Sequence, residues 1–185
     1  MARPDRIEGL AIVSADGMIA DASGVQPAVL KPEADQKFFF DTVARADGLV
    51  HGRNSSEGGP SAASRRRIVL TSAVAGVAKD PANDKVVLWN PAGATLDSAW
   101  DALGLSGGQL VVIGGTKGFG LFLRLGYDAF YLSRAGKVRL PGGRPVFPGV
   151  PDRSPEQLLA SHGMKCAATR TLDAAAELTL STWER

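Results

Sequence analysis

The sequence predicts an α/β fold: a central, mostly parallel β-sheet, helices on both faces, and an antiparallel strand pair at the C-terminal end. Three observations carry this. Short apolar runs recur between glycine and proline punctuation, at Gly9 to Val13, Gly48 to His51, Arg67 to Thr71, Lys85 to Trp89, Gln109 to Ile113 and Ala129 to Leu132. Several, such as Leu110-Val111-Val112-Ile113, are apolar at nearly every position, the pattern of strands covered on both faces. The segments between them carry helical spacing and helix-end signals.

The first helix is expected from Pro32 to Ala46, with Pro near its start, Glu33 and Asp35 in the first turn, and Phe39, Val43 and Ala46 along one stripe. A second, Thr95 to Leu103, places Leu96, Ala99, Trp100 and Leu103 on one side. A third, Thr116 to Arg124, follows the Leu110 strand after a two-glycine turn. Ser154-Pro155-Glu156-Gln157 opens a fourth with a capping-box pattern, Ser at N-cap and Gln at N3. Lys165 to Thr171 and Glu177 to Trp183 then alternate as a closing antiparallel pair. The Gly/Pro-rich stretch Pro141 to Pro151 is short enough to be a loop, so residues 1–185 read as one domain.

Composition narrows the function. Hydrophobic residues make up 44% and charged residues 22%, near the soluble average, and the net charge of +2 is too small for the counterion-release binding of nucleic acids. The apolar stretch Leu10 to Val13 is too short for a spanning helix or a signal-peptide core, so a cytoplasmic protein with no membrane partner is expected. With His51 and His162 the only histidines and Cys166 the only cysteine, no metal and no disulfide are expected. Cys166, in a predicted strand, reads as a small buried residue.

Four segments hold residues suited to chemistry. Gly114-Gly115-Thr116-Lys117-Gly118 joins a buried strand to a helix and puts unobstructed N–H groups where phosphate oxygens are attracted, although a simple tight turn has the same pattern. Gly52-Arg53-Asn54-Ser55-Ser56 offers a guanidinium, an amide and hydroxyls for phosphate or ribose, or is an ordinary polar loop. Asp35 and Phe39, four apart, put a carboxylate beside an aromatic ring on one helix face; such a carboxylate anchors or protonates a heterocycle, or simply complements the helix N-terminus. Arg65-Arg66-Arg67, just before a strand, is placed to reach a cofactor or substrate phosphate, or more simply is a solvated loop, and His51 reads as a hydrogen-bonded structural residue at a strand end.

Taken in order, the segments from Ala11 to Ala20 (AIVSADGMIA), Arg45 to Arg53 (RADGLVHGR), Ile68 to Ser72 (IVLTS), Val111 to Gly115 (VVIGG), Gly126 to Leu132 (GYDAFYL) and Gly142 to Pro148 (GGRPVFP) resemble the dihydrofolate-reductase-like superfamily. The nearest branch is the reductase domain of the riboflavin-biosynthesis deaminase/reductases. The resemblance spans nearly the whole chain and implies a single dihydrofolate-reductase-like domain with NADPH across the carboxyl ends of the strands. It implies an NADPH-dependent oxidoreductase that transfers hydride to a small ribosylamino-pyrimidine or other heterocycle. A dihydrofolate or pterin reductase, and a nucleotide-binding protein of the same fold without turnover, are the alternatives.

By the same resemblance Ala11, Ile12 and Ile19 lie near the nicotinamide, and Gly114, Gly115, Thr116 and Lys117 near the pyrophosphate. Arg53, Asn54, Thr71 and Ser72 lie toward the adenosine phosphates, and Gly52 and Ser55 are implied as further cofactor-binding residues. Asp35 is implied as the catalytic carboxylate, with Ile12 and Phe39 beside it on the substrate. A cis peptide between Gly114 and Gly115 and a homodimer are also implied. The segment from Gly24 to Lys31 lacks the Pro-Trp that precedes the dihydrofolate reductase helix, and 56–60 lacks the run that follows the Gly-Arg loop in the riboflavin branch, so the substrate stays open.

Overall fold

The computed structural model describes residues 2–55, 58 and 61–185. Its sheet has nine strands among the described residues, in spatial order β10-β11-β8-β1-β7-β3-β4-β6-β5. These strands are β1 (Arg6–Ser14), β3 (Gly48–Gly52), β4 (Arg67–Leu70), β5 (Val77–Asp80), β6 (Asn83–Trp89), β7 (Gln109–Val112), β8 (Ala129–Ala135), β10 (Lys165–Asp173) and β11 (Leu178–Glu184). Two short strands, β2 (Met18–Ala20) and β9 (Arg144–Pro145), pair separately. The pairs from β8 through β1, β7, β3 and β4 to β6 are parallel, whereas β11 and β10 at one edge and β5 at the other run antiparallel.

Both faces are covered, which explains why the central strands are apolar throughout. On one face Val13, Val50, Ile68, Leu110 and Val112 pack with Trp100 of α2 (Leu96–Ala102), with Phe119 and Phe122 of α3 (Thr116–Leu125), and with Leu158 of α4 (Pro155–Ser161). On the other face Leu10, Leu49 and Val111 meet Val43, Phe38 and Phe39 of α1 (Glu33–Arg45). The alternation along β1 is the strand period of two. Of the observed strands, β2, β5 and β9 have no counterpart among those expected from sequence. β5 is a four-residue edge strand carrying Lys79 and Asp80, and β9 contains Pro145, so neither has the apolar run that marks a central strand.

The capping box forms as expected: Ser154 Oγ accepts from Gln157 N at 3.1 Å and Gln157 Oε1 accepts from Ser154 N at 2.9 Å. Ser154→Ala is expected to cost about 1 kcal/mol, or roughly 2–4 °C in thermal unfolding, with no change in ligand affinity.

Three expectations are corrected. Cys166 is exposed: β10 is an edge strand, and every residue from Lys165 to Thr171 is open to solvent. Arg67 is buried, not solvated; its guanidinium donates to His51 Nε2 at 3.0 Å and to the Ala62 carbonyl. Arg65 reaches the Val43 carbonyl at the C-terminus of α1, where a cation complements the helix dipole, and only Arg66 of the three is exposed. Finally, the Gly114–Gly115 bond is trans, since among the described residues only Val150–Pro151 is cis. The chain turns there through Gly114 at φ +152°, a conformation open to glycine, so close backbone approach needs no cis bond.

Candidate functional site

The carboxyl ends of β1, β7, β3 and β4 lie side by side, and the register brings their following loops to one level. Val50 is opposite Val112, and Gly52 N donates to Gly114 O at 3.1 Å, so the two glycine-bearing turns touch. The glycines themselves carry no bulk there, and the side chain that faces them is Ser55. A Cβ on Gly52 would stand 3.8 Å from Gly115 N, and one on Gly114 or Gly115 would meet only Ser55, at 3.2 Å. Gly115 is the N-cap of α3, with no side-chain cap bond and no acidic residue in the first turn. That helix therefore presents first-turn N–H groups with no side-chain cap at the strand ends, as an anion requires. Thr116 is spoken for in part: its hydroxyl donates to the Pro145 carbonyl at 2.5 Å and ties α3 to β9.

From this edge a cleft of about 430 Å³ runs toward α1. It brings together Ala11, Ile12, Ile19, Asp35, Phe39, Asn54, Ser55 and Gly114 of the residues selected from sequence. Gly52, Arg53, Thr71, Ser72, Gly115, Thr116 and Lys117 do not line it. They continue the same row of strand ends, since Gly52 pairs with Leu70 and thereby places Arg53 and Thr71 after neighbouring strands. Thr71 Oγ1 accepts from Ala73 N at 3.1 Å, while Arg53, Ser72 and Lys117 are exposed. Ser56 lies outside the described residues. None of Arg65, Arg66 and Arg67 lines the cleft.

Asp35 is the buried charge of the site, only 4% exposed. It stands in the first turn of α1, whose N-terminus favours a carboxylate, but the helix turns it inward over the sheet. Burial raises its pKa above the usual carboxylate value, and Ser133 opposes that shift in part. Ser133, on β8 opposite Ile12 of β1, is itself fully buried, and its hydroxyl makes no hydrogen bond of ordinary geometry within the protein. Asp35 thus lines the cleft with the buried Ser133 hydroxyl beside it, and the carboxyl keeps hydrogen-bonding capacity that a ligand can complete.

Sequence reasoning missed Gln26, Lys31 and Gln36, which line the mouth of the cleft on the α1 side. Each is an isolated polar residue in a segment without a motif; only the adjacency of Gln36 to Asp35, about 100° round the helix, could have marked its neighbourhood. Gln26 also donates to the Leu30 carbonyl at 3.3 Å, fixing the loop before α1.

No family model matches the chain, and no curated protein matches it in sequence. Solved structures do match in fold. A Shewanella sp. PV-4 protein described under riboflavin biosynthesis superposes with a TM-score of 0.67 at 23% identity, over 97% of this chain and 98% of that one. The diaminohydroxyphosphoribosylaminopyrimidine deaminase/5-amino-6-(5-phosphoribosylamino)uracil reductase of Thermotoga maritima gives 0.66 at 16%, over 98% of this chain and 56% of that one, so this chain spans about half of it. Dihydrofolate reductase from Enterococcus faecalis, complexed with NADP(H), gives 0.61 at 17% over 100% and 99%. The chain has the dihydrofolate-reductase-like fold, and its structural neighbours include reductases. Among the described residues no helix is long and apolar enough to cross a membrane.

Proposed function

We propose that the chain is an NADPH-dependent reductase acting on a small heterocycle of the ribosylamino-pyrimidine type. One observation carries the reading: a buried carboxyl and a helix N-terminus with no side-chain cap, flanked by glycine-bearing turns, open into the same row of strand ends. Adjacent strands are about 4.8 Å apart, so the row from β1 to β4 spans roughly 14 Å, a length suited to an extended dinucleotide. The glycine turns and the first turn of α3 fit a pyrophosphate, and Ala11, Ile12 and Ile19 offer an apolar seat for a nicotinamide ring. When bound, NADPH supplies the hydride.

The chain's own residues bind, orient and manage a proton. Phe39 and Ile12 form apolar walls for a flat ring, which places the ring edge against Asp35. The carboxyl anchors ring N–H groups when ionised; when protonated, it donates from its oxygen toward the ring. Its raised pKa keeps the protonated form accessible at a higher pH than an exposed Asp would allow. Orientation of two planar groups face to face in a water-poor cleft is the larger contribution expected from the protein.

The reading predicts selectivity for NADPH over NADH. Arg53 follows β3 at the adenosine end of the row, exposed and within the same edge as Thr71 and Ser72, where a guanidinium forms charge-assisted hydrogen bonds to a 2′-phosphate. Arg53→Ala is expected to weaken NADPH binding by roughly ten- to a hundredfold, to leave NADH binding nearly unchanged, and to flatten the salt dependence of the NADPH constant. Calorimetric titration of both cofactors at two salt concentrations decides this. Equal affinity of the unaltered protein for both cofactors, or an equal effect of the substitution on both, removes Arg53 from the phosphate site.

A further inference from the structure

His51 ends β3 immediately before the glycine turn, and it is buried. Its ring nitrogens have opposite assignments. Nε2 lies 3.0 Å from Arg67 Nη1, and because a guanidinium has no acceptor, that nitrogen must accept. Nδ1 lies 2.7 Å from the Gly52 carbonyl oxygen, which can only accept, so Nδ1 must donate. Both contacts are satisfied together by one form of the ring, the neutral Nδ1–H tautomer. Arg67 itself is held by the Ala62 carbonyl, which fixes the guanidinium that selects this tautomer.

The carbonyl that receives the Nδ1–H also accepts from Ser55 N at 3.1 Å, closing the Gly52–Ser55 turn. Ser55 is the residue that faces Gly114 and Gly115, and Gly52 N donates to Gly114 O. A chain of contacts therefore leads from Arg67 through His51 and Gly52 to the contact between the two glycine turns. Neither His51 nor Arg67 lines the cleft.

We propose that His51 is a positioning residue for nucleotide binding: its Nδ1–H, set by Arg67, fixes the Gly52 carbonyl and thereby holds the Gly52–Ser55 turn against Gly114–Gly115, shaping the edge that a pyrophosphate meets at the N-terminus of α3. The inference rests on the reading of this edge as an NADPH site. It assigns a task to the first residue of β4 and to a histidine that touch neither cofactor nor substrate.

Two isosteric variants separate this role from simple packing. Asn carries an amide nitrogen near the position of Nδ1 and keeps the donor to Gly52 while losing the acceptor for Arg67; Gln reaches the position of Nε2 and does the reverse. His51→Asn is expected to bind NADPH within about twofold of the unaltered protein, and His51→Gln to bind it roughly three- to tenfold more weakly, the loss of one buried hydrogen bond. If His51 only packs against Arg67, the order reverses or the two variants lose affinity equally, and the proposal falls. If the unaltered protein binds no NADPH, the cofactor reading fails and takes this proposal with it.

Nitrogen-15 NMR of the unaltered protein gives a measurement independent of whether the variants fold. With the His162 signals assigned by His162→Gln, the His51 ring is expected as the Nδ1–H tautomer, with shifts that move on adding NADPH. An Nε2–H tautomer, or shifts indifferent to a saturating cofactor, overturns it.

Discussion

Asp35→Asn is expected to lower turnover by roughly 10²- to 10⁴-fold, to leave NADPH affinity within about twofold, and to raise thermal stability at neutral pH. The first two effects follow from position: Asp35 is on the α1 side of the cleft with Phe39, while the glycine turns are at the opposite wall. An amide still hydrogen-bonds but neither carries the charge nor yields a proton. The third follows from burial. Desolvation raises the pKa of Asp35, so its contribution to stability is complete below the ordinary carboxylate range and is lost as pH rises through the raised value. Above the ordinary carboxylate range the buried carboxyl therefore opposes folding, and Asn removes that cost. The stability gain should shrink as pH falls into the usual carboxylate range. Unfolding curves across pH, alongside steady-state kinetics with pyrimidine and pterin substrates, check all three; unchanged turnover on the best substrate excludes Asp35 from catalysis.

Gly9→Val is expected to destabilise the protein by about 3 kcal/mol or more, lowering the unfolding temperature by roughly 6–12 °C, or to prevent soluble folding. Gly9 lies in β1 at the centre of the sheet, where a Cβ would fall 2.3 Å from Phe130 Cδ2 and 2.8 Å from Tyr127 Cε1. Both rings are fully buried, and Phe130 is locked edge-on against Phe119 and Tyr127 at centroid distances of 5.7 and 5.1 Å. No flexible side-chain end is available to move aside. The clash, not β-propensity, decides the sign, since Val is otherwise favoured in strands. Thermal unfolding of the purified variant checks it; an unfolding temperature at or above that of the unaltered protein contradicts the packing described for this face.

The parts of the fold legible in the sequence are those where burial writes a pattern. The Leu110 strand, the Asp35–Phe39 helix face and the Ser154 capping box each depend on residues close in the chain, and each formed. The failures have the opposite character. Arg67 reads as part of a charge run, yet it is buried because His51, sixteen residues earlier, supplies an acceptor that local sequence cannot reveal. Cys166 lies in a strand as expected, but whether a strand is central or at the edge is set by topology, and β10 is last in the sheet. The cleft divides in the same way. Its glycine turns and Asp35 carry local signals, whereas Ser133, outside the cleft lining, is brought to Asp35 only through the pairing of β8 with β1.

The most direct test of the account is a crystal structure of the protein with NADPH. The pyrophosphate is predicted on the first-turn N–H groups of α3, against the edge formed by the touching Gly52 and Gly114–Gly115 turns. The 2′-phosphate is expected at Arg53 and the nicotinamide beside Ala11 and Ile12, facing the side of the cleft that holds Asp35. A nucleotide bound elsewhere, or a pyrophosphate away from the N-terminus of α3, contradicts the account.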